Sequence, residues 1–220
     1  YLLGALIGDG GLTNYVGFTS ADPEIVEEVR RALPAGHELN ASGRYGYKVR
    51  TRKGQPNYVW IALQMLGVAG KKSDAKSIPP SYMVASTGAR LALLQGLMDT
   101  DGYVSDRKNT SYYFGSSSPK LADQVRELIL SLGGVCRPPG TKHTSRLDSH
   151  QLTFRMPRGT IPFRLSRKIE RCEKDGHDLT VRVEEAMPTG RYVAMQCISV
   201  AARDNLYVTR GYTLTHNTFV

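Results

Sequence analysis

Leu2-Leu3-Gly4-Ala5-Leu6-Ile7-Gly8-Asp9-Gly10 lies at the start of the chain, and 92 residues later Leu94-Gln95-Gly96-Leu97-Met98-Asp99-Thr100-Asp101-Gly102 follows the same plan. Both stretches are apolar, both carry a small residue at the third position, and both close on Asp-Gly. One such stretch reads as a helix that stops at a turn. Two of them read as a duplication, and self-similarity of that kind organises a whole fold.

The match continues downstream of each motif. Asp22-Pro23 precedes an amphipathic run with Ile25, Val26, Val29, Ala32 and Leu33, and Ser118-Pro119 precedes one with Leu121, Val125, Leu128, Ile129 and Leu132. The spacing is helical, with Asp22 and Ser118 as N-caps and proline in the first turn. Between motif and helix, 15–19 and 111–115 read as strands. After each helix the period changes to two. Tyr45, Tyr47, Val49 and Thr51 alternate with Lys48, Arg50 and Arg52; Leu152, Phe154 and Met156 alternate with Gln151, Thr153 and Arg155. That pattern predicts sheets with one apolar face and one polar, basic face. Lys76, in Ala75-Lys76-Ser77-Ile78-Pro79, lies 67 residues after Asp9, and Lys168, in Ser166-Arg167-Lys168-Ile169, lies 67 residues after Asp101. The expectation is an α+β fold of two half-domains related by a pseudo-two-fold axis.

Such a repeat has a chemical consequence. Gly4, Ala5 and Gly96 let two helices approach closely, which brings Asp9 and Asp101 together at the negative ends of both helix dipoles. Paired carboxylates there are unfavourable without a cation between them. Oxygen ligands with retained water suit Mg²⁺, and a metal there can activate water and stabilise a leaving oxygen in phosphodiester hydrolysis. Lys76 and Lys168 are placed to polarise the water or offset phosphate charge. For Lys48, Arg50, Arg52, Gln151, Thr153 and Arg155 two readings stand: a solvated sheet face, or side chains that meet base edges and phosphates in a DNA groove.

The composition fits. With 220 residues, 40% hydrophobic and 22% charged, the chain can bury a core. The formal charge of +9 favours a polyanionic partner. No apolar run approaches the ~18 residues that span a bilayer, and no signal peptide is visible. Three scattered cysteines, Cys136, Cys172 and Cys197, suit neither a disulfide framework nor a zinc site and point to a reducing, intracellular setting. The chain begins in an apolar pattern at Tyr1, which reads as a piece of a longer precursor.

The paired nonapeptides resemble those of the LAGLIDADG homing endonucleases, and Lys76-Ser77-Ile78-Pro79 is similar to the Lys-X-Ile-Pro block of the intein-borne subfamily. The resemblance covers about 1–180. It implies duplicated αββαββα half-domains, about 1–88 and 89–182, forming a saddle-shaped sheet over double-stranded DNA. It also implies a monomer, with catalytic Asp9, Asp101, Lys76 and Lys168. Metal would sit at Asp9, Asp101, Gly8 and Thr100, with Mg²⁺ as cofactor and Mn²⁺ or Ca²⁺ able to substitute for binding. The expected setting is the cytoplasm of a prokaryotic or phage-infected cell, without a membrane.

Composition shifts after 184–188. The stretches 191–200 and 205–209 read as strands, and the chain ends Thr215-His216-Asn217-Thr218-Phe219-Val220. With Cys197-Ile198-Ser199-Val200 and Asn205-Leu206-Tyr207-Val208-Thr209, this ending resembles the C-terminal splicing blocks of inteins. The resemblance implies a small β segment of a Hint splicing domain over 183–217, with 218–220 as flanking host sequence. Asn217 would cyclise, His216 would assist, and Thr218 would be the acceptor nucleophile. Cys197 reads either as a small buried strand residue or as the internal nucleophile of a minority intein class, which Thr215 also fits. The N-terminal splicing half is missing from this chain, so splicing is not expected of it alone. Two alternatives for the whole remain open: a DNA-binding protein that kept the fold and lost cleavage, or an intein with a decayed nuclease.

Overall fold

The computed structural model describes residues 1–105, 111–145, 147–172, 179, 185, 187–188, 190–192, 194, 198–209 and 211–216. The first half runs α1 (Leu2–Asp9), β1 (Gly10–Gly11), β2 (Gly17–Thr19), α2 (Pro23–Ala32), β3 (His37–Ala41), β4 (Gly46–Thr51) and α3 (Tyr58–Met65), then a 3₁₀ turn, Ser73–Ala75, and the short α4 (Pro80–Met83). The second runs α5 (Thr87–Asp101), β5 (Gly102–Val104), β6 (Tyr112–Ser116), α6 (Pro119–Ser131), β7 (Val135–Cys136), β8 (Gly140–Lys142), β9 (Ser149–Arg155) and α7 (Ser166–Ile169). A two-stranded ladder, β10 (Leu206–Val208) with β11 (Leu214–His216), follows.

The two sheets are antiparallel and repeat one order. The first is β1-β2-β4-β3 and the second β5-β6-β9-β7, with β8 also paired to β9. β7 and β8 together take the place of β3, interrupted at Pro138-Pro139, where the chain has no N–H to give a ladder. Each half therefore reads αββαββα, and the fold class is α+β.

Local signals decide most boundaries. Asp22 accepts a hydrogen bond from the Glu24 N–H and Ser118 from the Leu121 N–H, each with proline in the first turn, so both caps form as the sequence predicts. The apolar stripes of α2 and α6 bury Ile25, Val26 and Val29, and Leu121, Val125, Leu128 and Ile129. Sheet, α1 and α5 close one continuous core through Phe18, Val49, Phe114, Leu152 and Phe154.

Three expectations need correction. Tyr45, expected on an apolar strand face, precedes β4 and is 43% exposed; of that alternating set Val49 is buried and Tyr47 packs part-buried against the core. Arg52 lies beyond the end of β4, in the turn that leads to α3. None of the described residues in 191–200 is in a strand. A β-prone run becomes a strand only where a neighbour takes up its hydrogen bonds, and among the described residues at this end of the chain the ladder is β10 with β11 alone.

Candidate active site at the helix seam

α1 and α5 touch backbone to backbone. A Cβ at Gly4 would collide with the Leu93 carbonyl oxygen and lie 3.1 Å from Gly96 Cα; one at Gly96 would collide with the Tyr1 carbonyl oxygen and lie 2.7 Å from the Ala5 nitrogen. No larger residue fits either place without moving a helix. Ala5, Leu6 and Ile7 on one helix and Leu93, Leu94, Leu97 and Met98 on the other are buried around the crossing.

The close crossing carries both helix ends to one place. α1 ends at Asp9 and α5 at Asp101, and the next residues, Gly10 and Gly102, are extended and open strands. A Cβ on Gly8 would overlap Thr100 Oγ1 and lie 2.8 Å from Asp101 Oδ2. The Asp101 carboxylate thus rests against the residue before Asp9. Burial first, and the Asp9 charge second, raise Asp101 to about 6 against the pull of Lys76 and Lys168. Burial also raises Asp9, opposed by the same two lysines. The two carboxylates share one field and both are short of positive charge.

Lys76 and Lys168 are buried among these helix ends, and their ammonium groups point at carbonyls. Lys76 Nζ donates to the carbonyls of Gly8 at 2.7 Å and Gly10 at 3.0 Å, on either side of Asp9. Lys168 Nζ donates to Met98 and Asp99, both at 2.8 Å, and to Gly102 at 2.6 Å. An ammonium has three donors. Lys168 has spent all of them, whereas Lys76 keeps one. Burial lowers both amines, Lys168 to about 8, and nearby aspartates oppose the shift at each. They act as cationic caps on two helix C-termini.

Asp99, in the second motif, has a role the sequence did not disclose. It is 1% exposed and accepts from Tyr1 Oη at 2.9 Å and from the Arg164 and Leu165 N–H groups. Ile7 stands at the matching place in the first motif, so the repeat itself hid this carboxylate.

The sheets present the expected polar faces. Gln151, Thr153 and Arg155 are exposed while Leu152 and Phe154 are buried, and Lys48 and Arg50 flank buried Val49. Lys48 Nζ sits 4.8 Å over the Tyr15 ring. On the second sheet Tyr103 and Tyr113 stack at 4.6 Å between centroids, and Thr153 lies opposite Tyr113 in the ladder. These tyrosines were missed because their strands gave only a β signal; outward position in the register picks them out.

Residues 88–150 match the family described as the LAGLIDADG-like domain. The match takes in α5 with Asp101 and most of the second half, and leaves out Asp9, Lys76 and Lys168. Over 99% of its length the chain is 29% identical to the replicative DNA helicase DnaB of Mycobacterium intracellulare, of which it spans 34%. A shorter stretch, 29% of the chain, is 41% identical to 6% of the ATP-dependent DNA helicase Hel308 of Thermococcus kodakarensis. The chain thus spans about a third or less of these curated relatives. Mesophilic variants of the homing endonuclease I-DmoI superpose with a TM-score of 0.46 at 16% identity, over 70% of this chain and 80% of that one.

The donor set at the seam fits a hard, hydrated cation. Among the described residues no three His, Cys, Asp or Glu side chains gather into a closed metal cage. Two carboxylates, a lone pair left on the Gly8 carbonyl and the Thr100 carbonyl are all oxygen. The Thr100 hydroxyl is already committed to the Gly96 and Leu97 carbonyls. Mg²⁺ commonly takes one or two carboxylates and completes its shell with water and phosphate.

Thr215 and His216 lie in β11, paired with Tyr207 and Leu206. Cys197, Asn217 and Thr218 lie outside the described residues. Cys136 and Cys172 are free and buried. No helix among the described residues is long and apolar enough to cross a membrane.

Proposed function

We propose that this chain is a LAGLIDADG homing endonuclease carried within an intein, making Mg²⁺-dependent double-strand breaks in DNA at the allele that lacks the element. The observation that carries the reading is the pair of cation-deficient carboxylates, Asp9 and Asp101, held together by a helix crossing that no larger residue permits. A net charge of +9 and two polar sheet faces support a DNA partner. The alignment of nearly the whole chain with a third of a helicase supports an element inserted in a longer host protein.

In this reading Asp9 and Asp101, with the Gly8 and Thr100 carbonyls, would hold Mg²⁺. Bound there, the ion would supply a lowered pKa for water and positive charge for a departing 3′-oxygen. Lys76 offers its remaining N–H to water or a phosphate oxygen, and Lys168 fixes the end of α5 and adds positive charge. Lys48, Arg50, Arg52, Gln151, Thr153 and Arg155 contact the duplex, with Tyr103 and Tyr113 beside them. Mn²⁺ or Ca²⁺ can replace Mg²⁺ for binding. The nuclease occupies 1–182 and acts as a monomer in the cytoplasm; 183–217 belongs to the splicing region and 218–220 to the host.

The splicing chemistry falls to the end of the chain. The Asn217 side-chain nitrogen attacks its own main-chain carbonyl carbon, closing a succinimide and freeing the Thr218 amine, with His216 as proton donor. Thr218 is the acceptor nucleophile, and Cys197 with Thr215 marks the minority class. Splicing requires the N-terminal half.

A second reading, binding without cutting, draws on Lys168, whose donors are all engaged within the protein. The test is a plasmid carrying the uninterrupted host site, incubated with the full chain in Mg²⁺ or in EDTA. Linearisation in Mg²⁺ alone is expected. A gel shift without nicking would favour the second reading.

A further inference from the structure

The segment that carries each lysine is gripped by the opposite half of the molecule. Lys76 belongs to the first half, but its carbonyl accepts from Ser118 Oγ at 2.8 Å, on the residue that caps α6 of the second half. Two residues on, the Gln124 side chain pairs with Ile78 as one peptide group pairs with another: the Ile78 N–H donates to Oε1 and Nε2 donates to the Ile78 carbonyl, each at 2.8 Å. The mirror arrangement holds Lys168. Glu24 Oε1, on α2 of the first half, accepts from the Ser166 N–H at 2.9 Å and from its hydroxyl at 2.7 Å. Glu28 pairs with Arg164 at 3.2 Å and Asp22 with Arg167 at 2.8 Å. Asp22 and Ser118 are both helix N-caps, and Glu28 and Gln124 each stand six residues further along their helices. The crossing is therefore built into the repeat.

The two grips differ in kind. α6 uses neutral, geometrically fixed hydrogen bonds to a residue that is 1% exposed. α2 uses partly exposed carboxylates against arginines and a serine. Neither grip touches Asp9 or Asp101 directly. What each sets is the position of a lysine segment, and through Nζ the carbonyls beside an acidic helix end.

We infer that Gln124 is a positioning residue for the Lys76–Asp9 side of the centre, and Glu24 for the Lys168–Asp101 side, so that each half-domain governs cleavage of the strand served by the other half's lysine. The inference rests on the nuclease reading and adds a wiring that the reading does not require. A shift of the order of an ångström at a reacting centre costs up to about a hundredfold in rate, so loss of either grip should slow one strand and spare the other.

The experiment uses the full chain and a duplex spanning the uninterrupted host site, with the two strands labelled differently, under single-turnover conditions in Mg²⁺. Lys76→Met marks the strand that Lys76 serves. Gln124→Ala is expected to slow that same strand about ten- to a hundredfold, with affinity for the duplex in Ca²⁺ unchanged. Glu24→Ala is expected to slow the opposite strand. Gln124→Glu keeps the acceptor for the Ile78 N–H and sets a carboxylate against the Ile78 carbonyl, so it should share the strand bias of Gln124→Ala without a cavity. General loss of folding slows both strands together, and opposite bias in the two variants excludes it. Equal slowing of both strands, the reverse assignment, or no effect with wild-type cutting intact would overturn the wiring and leave the nuclease reading standing. A wild-type chain that binds the duplex and never cuts it would overturn both.

Discussion

Asp9 and Asp101 end two helices whose last carbonyls already concentrate negative charge, and burial strips water from each carboxylate. The folded protein holds a proton on Asp101 up to about pH 6, above the ordinary value of 3.8. The contribution of this group to stability is then fully present below the unfolded value and is lost as pH rises through the folded one. In chelator, the melting temperature should carry a falling component over that window. Asp101→Asn should remove that component and melt a few degrees higher than wild type at neutral pH; an unchanged melt would contradict the shared field. The lysines carry the opposite charge to the same place. Lys168→Met strands three carbonyl acceptors, against two for Lys76→Met. Leaving buried polar groups unpaired costs about 1–3 kcal/mol each, so denaturant unfolding should find Lys168→Met the less stable of the two. At this scale the sequence disclosed the acids and the lysines through their equal spacing. It could not disclose that the lysines point at backbone carbonyls, nor that Asp99 is buried beneath Tyr1, because both depend on which segments meet in space.

The helix crossing and the two sheets set what the residues can do. Gly4→Val would drive a side chain into the Leu93 carbonyl and part α1 from α5. Overpacking of this kind costs about 1–3 kcal/mol or more, visible as a lowered denaturation midpoint, and cleavage should fall with the separation of the acids. Full activity and full stability would contradict the crossing. On the second sheet, Arg155 and Tyr113 face outward on neighbouring strands. Arg155→Ala should weaken DNA binding and reduce the slope of log affinity against log salt by about one. Tyr113→Ala should weaken binding and leave the slope unchanged, since an aromatic face releases no counterion. Equal slopes for both variants would refute an ionic role for Arg155. Elements with caps and regular period were legible: α2 and α6 begin at the residues their Asp-Pro and Ser-Pro signals mark, and β9 alternates as written. β4 followed only in part, since Tyr45 and Arg52 fall outside it. The stretch 191–200 had the composition of a strand and no partner among the described residues.

At the scale of the molecule, a duplicated half-domain explains why one chain carries two acids, two lysines and two crossed grips. The equal interval from each acid to its lysine made that duplication readable. The asymmetry between the halves was not readable in the same way, because neutral Gln124 and charged Glu28 occupy matching places and the partner of each, Ile78 or Arg164, is set only by which segments meet in space. If the chain is also part of an intein, the two activities should separate. In a complete precursor, Asn217→Ala should block release of the C-terminal host segment while Asp101→Asn leaves splicing at its normal rate, followed by gel mobility of the products. Release at normal rate in Asn217→Ala would remove the intein assignment and leave the seam untouched. The seam itself is tested most directly by cleavage of a duplex bearing the uninterrupted host site with Asp9→Asn and Asp101→Asn, each compared with wild type in Mg²⁺. Double-strand cutting by wild type and none by either variant, with all three binding the duplex, is the predicted result; substantial Mg²⁺-dependent double-strand breaks by either variant would contradict a centre built from both carboxylates.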